Sequence, residues 1–221
     1  MKGALVVNGK LFKREIKADI IAAADGGYDL LKKRGIVPNI VIGDLDSIKT
    51  NGRQRMVSGK LLSGDSSVPV TILPTVKDVT DGEAALDYLI EKGCSDIDIY
   101  AATSGRLDHI LGHISLLERA LNKGVTARLV DDEYEVYLTD KKLEIKIPQL
   151  LNVKCSMLNK STVSLLPLTP EVHIMSASGL KYPLKNETLL RTATRGISNI
   201  AALDKISIEI KKGLLLVVVV L

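Results

Sequence analysis

The sequence predicts an α/β protein: a parallel-sheet α/β domain followed by a small all-β, sandwich-like domain. Three observations predict it. Over the first ~130 residues, short apolar runs alternate with helix-period segments, the pattern of a sheet wound with helices. Those runs are rich in Val, Ile and Ala and do not alternate with polar residues, as expected of strands covered on both faces. From Tyr134 onward the apolar period becomes two, and no long helical pattern follows. The boundary falls within residues 131–140, giving domains 1–133 and 134–221.

The elements of the first domain follow in order. Ala4–Val7 and Ile20–Ala24 read as strands. A short helix runs from Tyr28 to Arg34 and is stopped by Gly35 and Pro38. Ile40–Ile42 is the next strand. Residues 49–67 are polar, Gly/Ser-rich and locally basic, and read as a long loop or mobile flap. Val70–Leu73 is a strand. Thr80 with Glu83 then forms a T-x-x-E capping box ahead of an apolar stripe, Ala85, Leu86, Leu89 and Ile90, with Gly93 at the left-handed stop position. After the strand Ile97–Ala101, a second helix carries Leu107, Ile110, Leu111, Ile114, Leu117 and Leu121 on one face, with Gly124 past its end. Ala127–Val130 closes the set, and Asp131-Asp132-Glu133 reads as a solvated linker.

In the second domain, Tyr134–Leu138 and Leu143–Ile147 alternate, and further short β segments continue to the C-terminus. Pro148, Pro167, Pro170 and Pro183 suit turns or edge strands. Lys211-Lys212-Gly213 reads as a hairpin turn before a buried final strand, Leu214–Leu221.

Composition narrows the function classes. The 221 residues are 46% apolar and 25% charged, which excludes disordered, collagenous and coiled-coil readings. The net charge of +4 is mild and dispersed, so nucleic acid and anionic membrane surfaces are not the expected partners. No apolar run approaches the ~20 residues that span a bilayer, and the N-terminal stretch is too short for a signal peptide. Cys94 and Cys155 form no metal spacing and read as reduced thiols of a cytoplasmic protein. Aromatic residues are scarce: six Tyr, one Phe and no Trp.

The chemistry gathers in the turns after the strands. Asn8-Gly9, Asp25-Gly26-Gly27, Gly43-Asp44-Leu45-Asp46-Ser47, Lys77-Asp78-Val79-Thr80-Asp81 and Ser104-Gly105-Arg106-Leu107-Asp108-His109 each follow one strand of the first domain. Open parallel sheets bind ligands beyond the carboxyl ends of their strands, so these turns share one rim. An Asp at a helix start also serves as a cap, and it is the co-location that points to a site. Six carboxylates on one rim (Asp25, Asp44, Asp46, Asp78, Asp81, Asp108) repel one another unless a cation sits among them. Oxygen-only ligands suggest Mg²⁺ bridging carboxylates to phosphates. Lys77 and Arg106 supply phosphate contacts, and Gly26, Gly27 and Gly105 allow backbone to approach a ligand. Metal-assisted phosphoryl transfer is the chemistry implied. His109 and His113 have i, i+4 spacing, but further zinc-type ligands are missing from their neighbourhood in the sequence.

The ordered set Ala24-Asp25-Gly26-Gly27, Gly43-Asp44-Leu45-Asp46-Ser47, Asp78-Val79-Thr80-Asp81 and Gly105-Arg106-Leu107-Asp108-His109 resembles the thiamine pyrophosphokinase family. Gly179-Leu180-Lys181-Tyr182-Pro183-Leu184 and Gly196-Ile197-Ser198-Asn199 extend the resemblance into the β half. It implies transfer of a diphosphate from ATP to the hydroxyl of thiamine, leaving AMP. It implies an ATP- and Mg²⁺-binding α/β domain and a β-sandwich domain for thiamine binding and dimerisation. The family works as a homodimer, with thiamine held between the α/β domain of one subunit and the β domain of the other. Carried over by motif, Asp25, Asp44, Asp46, Asp81 and Asp108 position Mg²⁺ and the diphosphate, and Ser198 and Asn199 lie near thiamine. Arg106 and Mg²⁺ neutralise charge, and Asp81 or Asp46 accepts the hydroxyl proton.

Three positions depart from the family pattern. Leu45 stands where Phe is frequent, Tyr182 where Trp is frequent, and Ile200 where Glu often follows Ser-Asn. With no Trp in the chain, Tyr182 is the ring expected to stack on thiamine. Two other readings compete. One is another Mg²⁺-dependent phosphoryl or diphosphoryl transferase, or a phosphohydrolase, on the same acids. The other is a non-catalytic nucleotide or thiamine diphosphate sensor, which the presence of all six acids disfavours.

Overall fold

The computed structural model describes residues 1–43, 54–57, 60–63, 66–72, 78–147 and 161–221. The chain divides into two units, Met1–Asp132 and Glu133–Leu221.

In the first unit, β1 (Lys2–Val6), β2 (Ile20–Ala24), β3 (Ile40–Gly43), β4 (Gln54–Val57), β5 (Lys60–Ser63), β6 (Ser66–Ile72), β7 (Asp96–Tyr100) and β8 (Thr126–Val130) alternate with three helices. The helices are α1 (Gly27–Lys33), α2 (Asp81–Glu91) and α3 (Leu107–Asn122). The strand order is β8-β7-β1-β2-β3-β6-β5-β4, parallel as far as β6. The chain winds outward from β1 through β2 and β3, then returns to β7 on the other side of β1. That reversal makes the β1/β7 edge the topological switch point, where such sheets bind ligands.

The apolar runs explain the sheet. Ala4, Val6, Ala23, Val41 and Val130 are buried on one face with Phe12, Tyr28 and Leu31. The single Phe is used here: Phe12 stacks on Tyr100 at 5.0 Å, and the Arg34 guanidinium lies 4.4 Å over its ring. From the helices, Ala85, Leu86 and Leu89 of α2 and Leu116, Leu117 and Ala120 of α3 are buried.

The structure departs from the sequence expectations in four places within this unit. The described segments within residues 49–67 are strands. Gln54–Val57 and Lys60–Ser63 pair antiparallel, and the latter pairs with a β6 that begins at Ser66. Short strands without apolar alternation leave no period for a sequence reading to detect. The apolar face of α3 is only partly covered: Leu107 is 71% exposed and Leu111 56%, while burial is concentrated around Leu116 and Leu117. Asp132 and Glu133 are exposed at the boundary between the units, as expected of a linker, but Asp131 and Asp132 are also tied down. The Asp132 carboxylate accepts the Lys13 and Arg14 amides at 2.8 and 2.9 Å, and the Thr103 hydroxyl donates to Asp131. Finally, the capping box of α2 is only half made. Thr80 Oγ1 accepts the Glu83 amide at 3.2 Å, while the Glu83 carboxylate goes elsewhere.

The second unit is a β-sandwich. β9 (Tyr134–Thr139), β10 (Lys142–Lys146), β11 (Thr162–Pro167), β12 (Glu171–Ser178), β13 (Leu184–Leu190), β14 (Asn199–Ile200), β15 (Lys205–Lys212) and β16 (Leu215–Val220) form two antiparallel layers. One has the order β14-β11-β16-β9 and the other β10-β15-β12-β13. Their inward residues alternate along each strand. Val163, Leu165, Val217 and Val219 meet Val172, Ile174, Ile206 and Ile208 in one core. Gly213, at φ +102°, does not close a hairpin. β15 pairs with β10 and β12, whereas β16 pairs with β9 and β11, so the turn carries the chain from one layer to the other.

Cys94 is a buried free thiol, and burial pushes its pKa up. Cys155 and Pro148 lie outside the described residues. None of the described helices is long and apolar enough to cross a membrane.

Candidate active site

A cavity of about 510 Å³ opens beyond the ends of β1 and β2, in front of α2 and α3. Its wall includes Asn8, Asp25, Asp81, Asp108, His109 and Arg119. Asp25, Asp81 and Asp108, taken from three different turns, thus come together. Asp78 is exposed in the turn before α2 and does not line this cavity. Asp44, Asp46 and Lys77 lie outside the described residues. Among the described residues, no three His, Cys, Asp or Glu side chains are grouped closely enough to hold a metal ion.

Asp25 directly follows β2, is 8% exposed and adopts φ +45°. A left-handed backbone is uncommon for a non-glycine residue and marks positions whose surroundings enforce it. Its amide donates to the Ile42 carbonyl at 2.9 Å, which fixes the turn to β3. Asp81 is the first residue of α2, directly after the Thr80 cap. A carboxylate there faces the positive end of the helix dipole.

Asp108 stands in the first turn of α3. The Arg106 guanidinium forks onto it, Nε to Oδ1 at 3.1 Å and Nη2 to Oδ2 at 2.6 Å. This hydrogen bonding to Arg106 holds the Asp108 carboxyl below its ordinary pKa. Arg106 therefore meets Asp108 first. Gly105, at φ +98°, has open space where a Cβ would stand, consistent with close approach of a ligand. Gly26 and Gly27 also have packing reasons. A Cβ on Gly26 would lie 2.7 Å from the Asn8 side chain, and one on Gly27 would lie 2.1 Å from the Val6 carbonyl oxygen.

The sequence signals no role for Arg119, places Asn8 in a rim turn without one, and offers His113 only as half of a zinc-type pair. Asn8 carried a signal, since Asn8-Gly9 follows the central strand. His113 Nδ1 lies 2.8 Å from the Ala102 carbonyl oxygen and so carries the ring proton. Burial pushes the His113 pKa down, which keeps the ring neutral at neutral pH. Its ring meets His109 edge-on at 6.4 Å.

In the second unit, Tyr182, Ser198 and Asn199 line a separate cleft of about 220 Å³ with Leu165, Leu184 and Arg195. Tyr182 is 58% exposed, with Lys181 Nζ 5.3 Å from its ring centroid. Ser198 adopts φ +61°, and its amide donates to Ser164 Oγ. The Asn199 side chain is occupied by backbone. Its Oδ1 accepts the Tyr182 and Ile200 amides at 3.1 and 2.8 Å, and its Nδ2 donates to the Tyr182 carbonyl at 2.7 Å. Asn199 thereby shapes the cleft by holding Tyr182. Asn199→Ala takes this partner from three part-buried backbone groups. It is expected to destabilise the protein by about 1–3 kcal/mol; equal denaturant midpoints for variant and wild type would contradict this.

Comparison with known proteins identifies the family. Residues 12–129 match the family model for the thiamin pyrophosphokinase catalytic domain, and residues 142–215 match that for its vitamin B1 binding domain. A thiamine pyrophosphokinase of Bacillus subtilis is 29% identical over 196 residues, covering 88% of this chain and 84% of that protein. Thiamin pyrophosphokinase 1 of Caenorhabditis elegans is 27% identical over 186 residues, 78% of this chain and 68% of that protein. The crystal structure of thiamine pyrophosphokinase from Bacillus subtilis matches with a TM-score of 0.82 at 26% identity, over 100% of this chain and 99% of that one. With both units matched in chain order, the chain belongs to the thiamin pyrophosphokinase family, transferases that move a diphosphate from ATP to the hydroxyl of thiamine.

Proposed function

We propose that the cavity beyond β1 and β2 is where this transfer occurs, and that the protein binds Mg²⁺, ATP and thiamine as a cytoplasmic homodimer. The observation that carries this reading is the convergence of Asp25, Asp81 and Asp108 on one cavity at the switch point of the sheet. The donors fit Mg²⁺: they are carboxylate oxygens, with no thiolate among them. Asp25 and Asp108, with Asp44 and Asp46 of the same rim, would hold the ion, which would neutralise the polyphosphate charge; Asp78, which does not line the cavity, is not among them.

The chain's own residues do the rest. Arg106, steadied by Asp108, meets phosphate oxygens at the mouth. Gly105 lets backbone approach the ligand, and Lys77 belongs to the same phosphate-facing set. Asp81, at the positive end of α2, accepts the proton of the thiamine hydroxyl as its oxygen attacks the β-phosphorus of ATP and AMP departs. Asp46 is the alternative acceptor. Alignment of alcohol and phosphorus is the main source of rate in such reactions. Thiamine is held against Tyr182 and Ser198, in a cleft shaped by Asn199. The family resemblance supports a dimer in which those residues come from the other subunit.

Purified protein given thiamine, ATP and Mg²⁺ is expected to release AMP and thiamine diphosphate in equal amounts. Chelation with EDTA abolishes this and added Mg²⁺ restores it. Undiminished turnover in EDTA, or release of phosphate in place of AMP, contradicts the reading.

A further inference from the structure

Glu83 breaks the rule that its position sets. At the third position of α2, behind a Thr N-cap, its carboxylate would ordinarily reach back to the cap amide. Instead it lies 2.9 Å from Arg119 Nη1 on α3. Arg119 gives the rest of its guanidinium to α2 as well. Nε donates to Asp87 Oδ1 at 2.9 Å and Nη2 to Asp87 Oδ2 at 2.6 Å. Lys123 Nζ adds a further bond to Asp87 Oδ1 at 2.7 Å. Hydrogen bonding to Arg119 holds the Asp87 carboxyl down at about 2, so it stays charged wherever the enzyme works. Glu83 and Arg119 both line the cavity that Asp81 enters.

We propose that Arg119 is a positioning residue for the diphosphate transfer: by gripping Glu83 and Asp87 together, it fixes α2 against α3 and so holds Asp81 in place. This rests on the role given to Asp81 above. Glu83 and Asp87 stand one turn apart on the same face of α2. A planar guanidinium bound to both restrains α2 from sliding and from rotating about its axis. Asp81 is two residues from Glu83 and moves with it. Three of the five guanidinium N–H donors go to carboxylates of α2, so α2 is what Arg119 holds. Part-exposed ion pairs contribute little to stability, so what the clamp protects is geometry.

The test is steady-state and single-turnover kinetics with thiamine, ATP and Mg²⁺, alongside thermal melts. The variants are Arg119→Gln, Arg119→Lys, Asp87→Asn, Asp81→Asn and the Asp81→Asn doubles. Misplacement by about 1 Å can cost on the order of 10²-fold, so Arg119→Gln is expected to lower kcat by about 10- to 100-fold with little change in KM. Arg119→Lys, which reaches one carboxylate at a time, recovers part of the rate. In the Asp81→Asn background Arg119→Gln costs no more than about twofold further, because the group it positions is gone. Losses that multiply in the double variant, or a kcat in Arg119→Gln within about threefold of wild type, overturn the proposal. If Arg119→Gln unfolds, Asp87→Asn and its double with Asp81→Asn give the same readout by removing the other side of the fork. Wild-type protein that forms no thiamine diphosphate overturns the reading of the site and the clamp with it. An active wild type with independent losses overturns the clamp alone.

Discussion

Asp81→Asn protein is expected to turn over thiamine about 10²–10⁴-fold more slowly than wild type, the range for losing a positioned general base, with an almost unchanged melting temperature. The two halves of this expectation have different causes. Asn matches Asp in volume and leaves the Thr80 cap intact, so α2 still begins where it does. The stability lost is the carboxylate's attraction to the helix dipole, about 0.3–1 kcal/mol. The rate falls because an amide cannot accept the proton of the attacking hydroxyl. Asp108 cannot readily substitute. Its fork with Arg106 lowers its pKa, and a carboxylate held below its ordinary range is a weaker base. The loss should appear in kcat. A raised KM for ATP with kcat unchanged would mean that Asp81 binds the nucleotide and that another group takes the proton.

Asp98→Ala is expected to give the largest loss of stability. Asp98 lies in the middle of β7 at 3% exposure, between β1 and β8. Arg128 Nε reaches its Oδ1 at 2.6 Å and Lys2 Nζ its Oδ2 at 2.9 Å. The Tyr100 hydroxyl donates to Oδ2 at 3.4 Å. Removing the carboxylate leaves two cations side by side over a sheet with their shared counter-charge gone. Breaking a buried pair in this way costs about 3–5 kcal/mol, and the lower end applies because Arg128 and Lys2 keep part of their surface in water. A loss of about 3 kcal/mol lowers the melting temperature of a chain this size by about 6–12 °C. Burial alone would raise the Asp98 pKa, but the hydrogen bonds from Arg128 and Lys2 outweigh it and the net shift is downward. A carboxylate depressed on folding contributes stability above its unfolded pKa of about 4 and loses it as pH falls. The difference between wild type and Asp98→Ala should therefore narrow in acid. Urea melts at neutral and acid pH check both claims, and a gap that stays constant with pH would contradict the linkage.

Much of the fold was legible because its signals are local. The stripes of α2 and α3, the Thr80 cap and the glycines after each helix lie within a few residues of the structure they specify. The pairing of Gln54–Val57 with Lys60–Ser63 was not legible, because short strands without apolar alternation leave no period to read. Gly213 was legible as a turn but not as a crossing between layers. The sequence marks where β16 begins, while its pairing with β9 and β11 depends on strands far earlier in the chain.

The candidate site divides in the same way. Asp25, Asp81 and Asp108 could be found because the strand-end rule converts local turns into a shared rim. Arg119 could not. It lies three turns along α3 from Asp108 and reaches the cavity only because α3 packs beside α2. Asn199 was legible as a motif position, but its hydrogen bonds to the Tyr182 backbone were not.

By itself the sequence determined the kind of each long element, the succession of an α/β half and a β half, and the ordered motifs that carry the family. Only the tertiary structure decided the partners. Asp132 holds Lys13 and Arg14, Asp98 holds Arg128 and Lys2, and Glu83 leaves its cap for Arg119. Backbone conformation responds to neighbours a few residues away and can be read from them. A charged side chain pairs with whatever packing brings within about 3 Å, and that is set by the assembled sheet and helices.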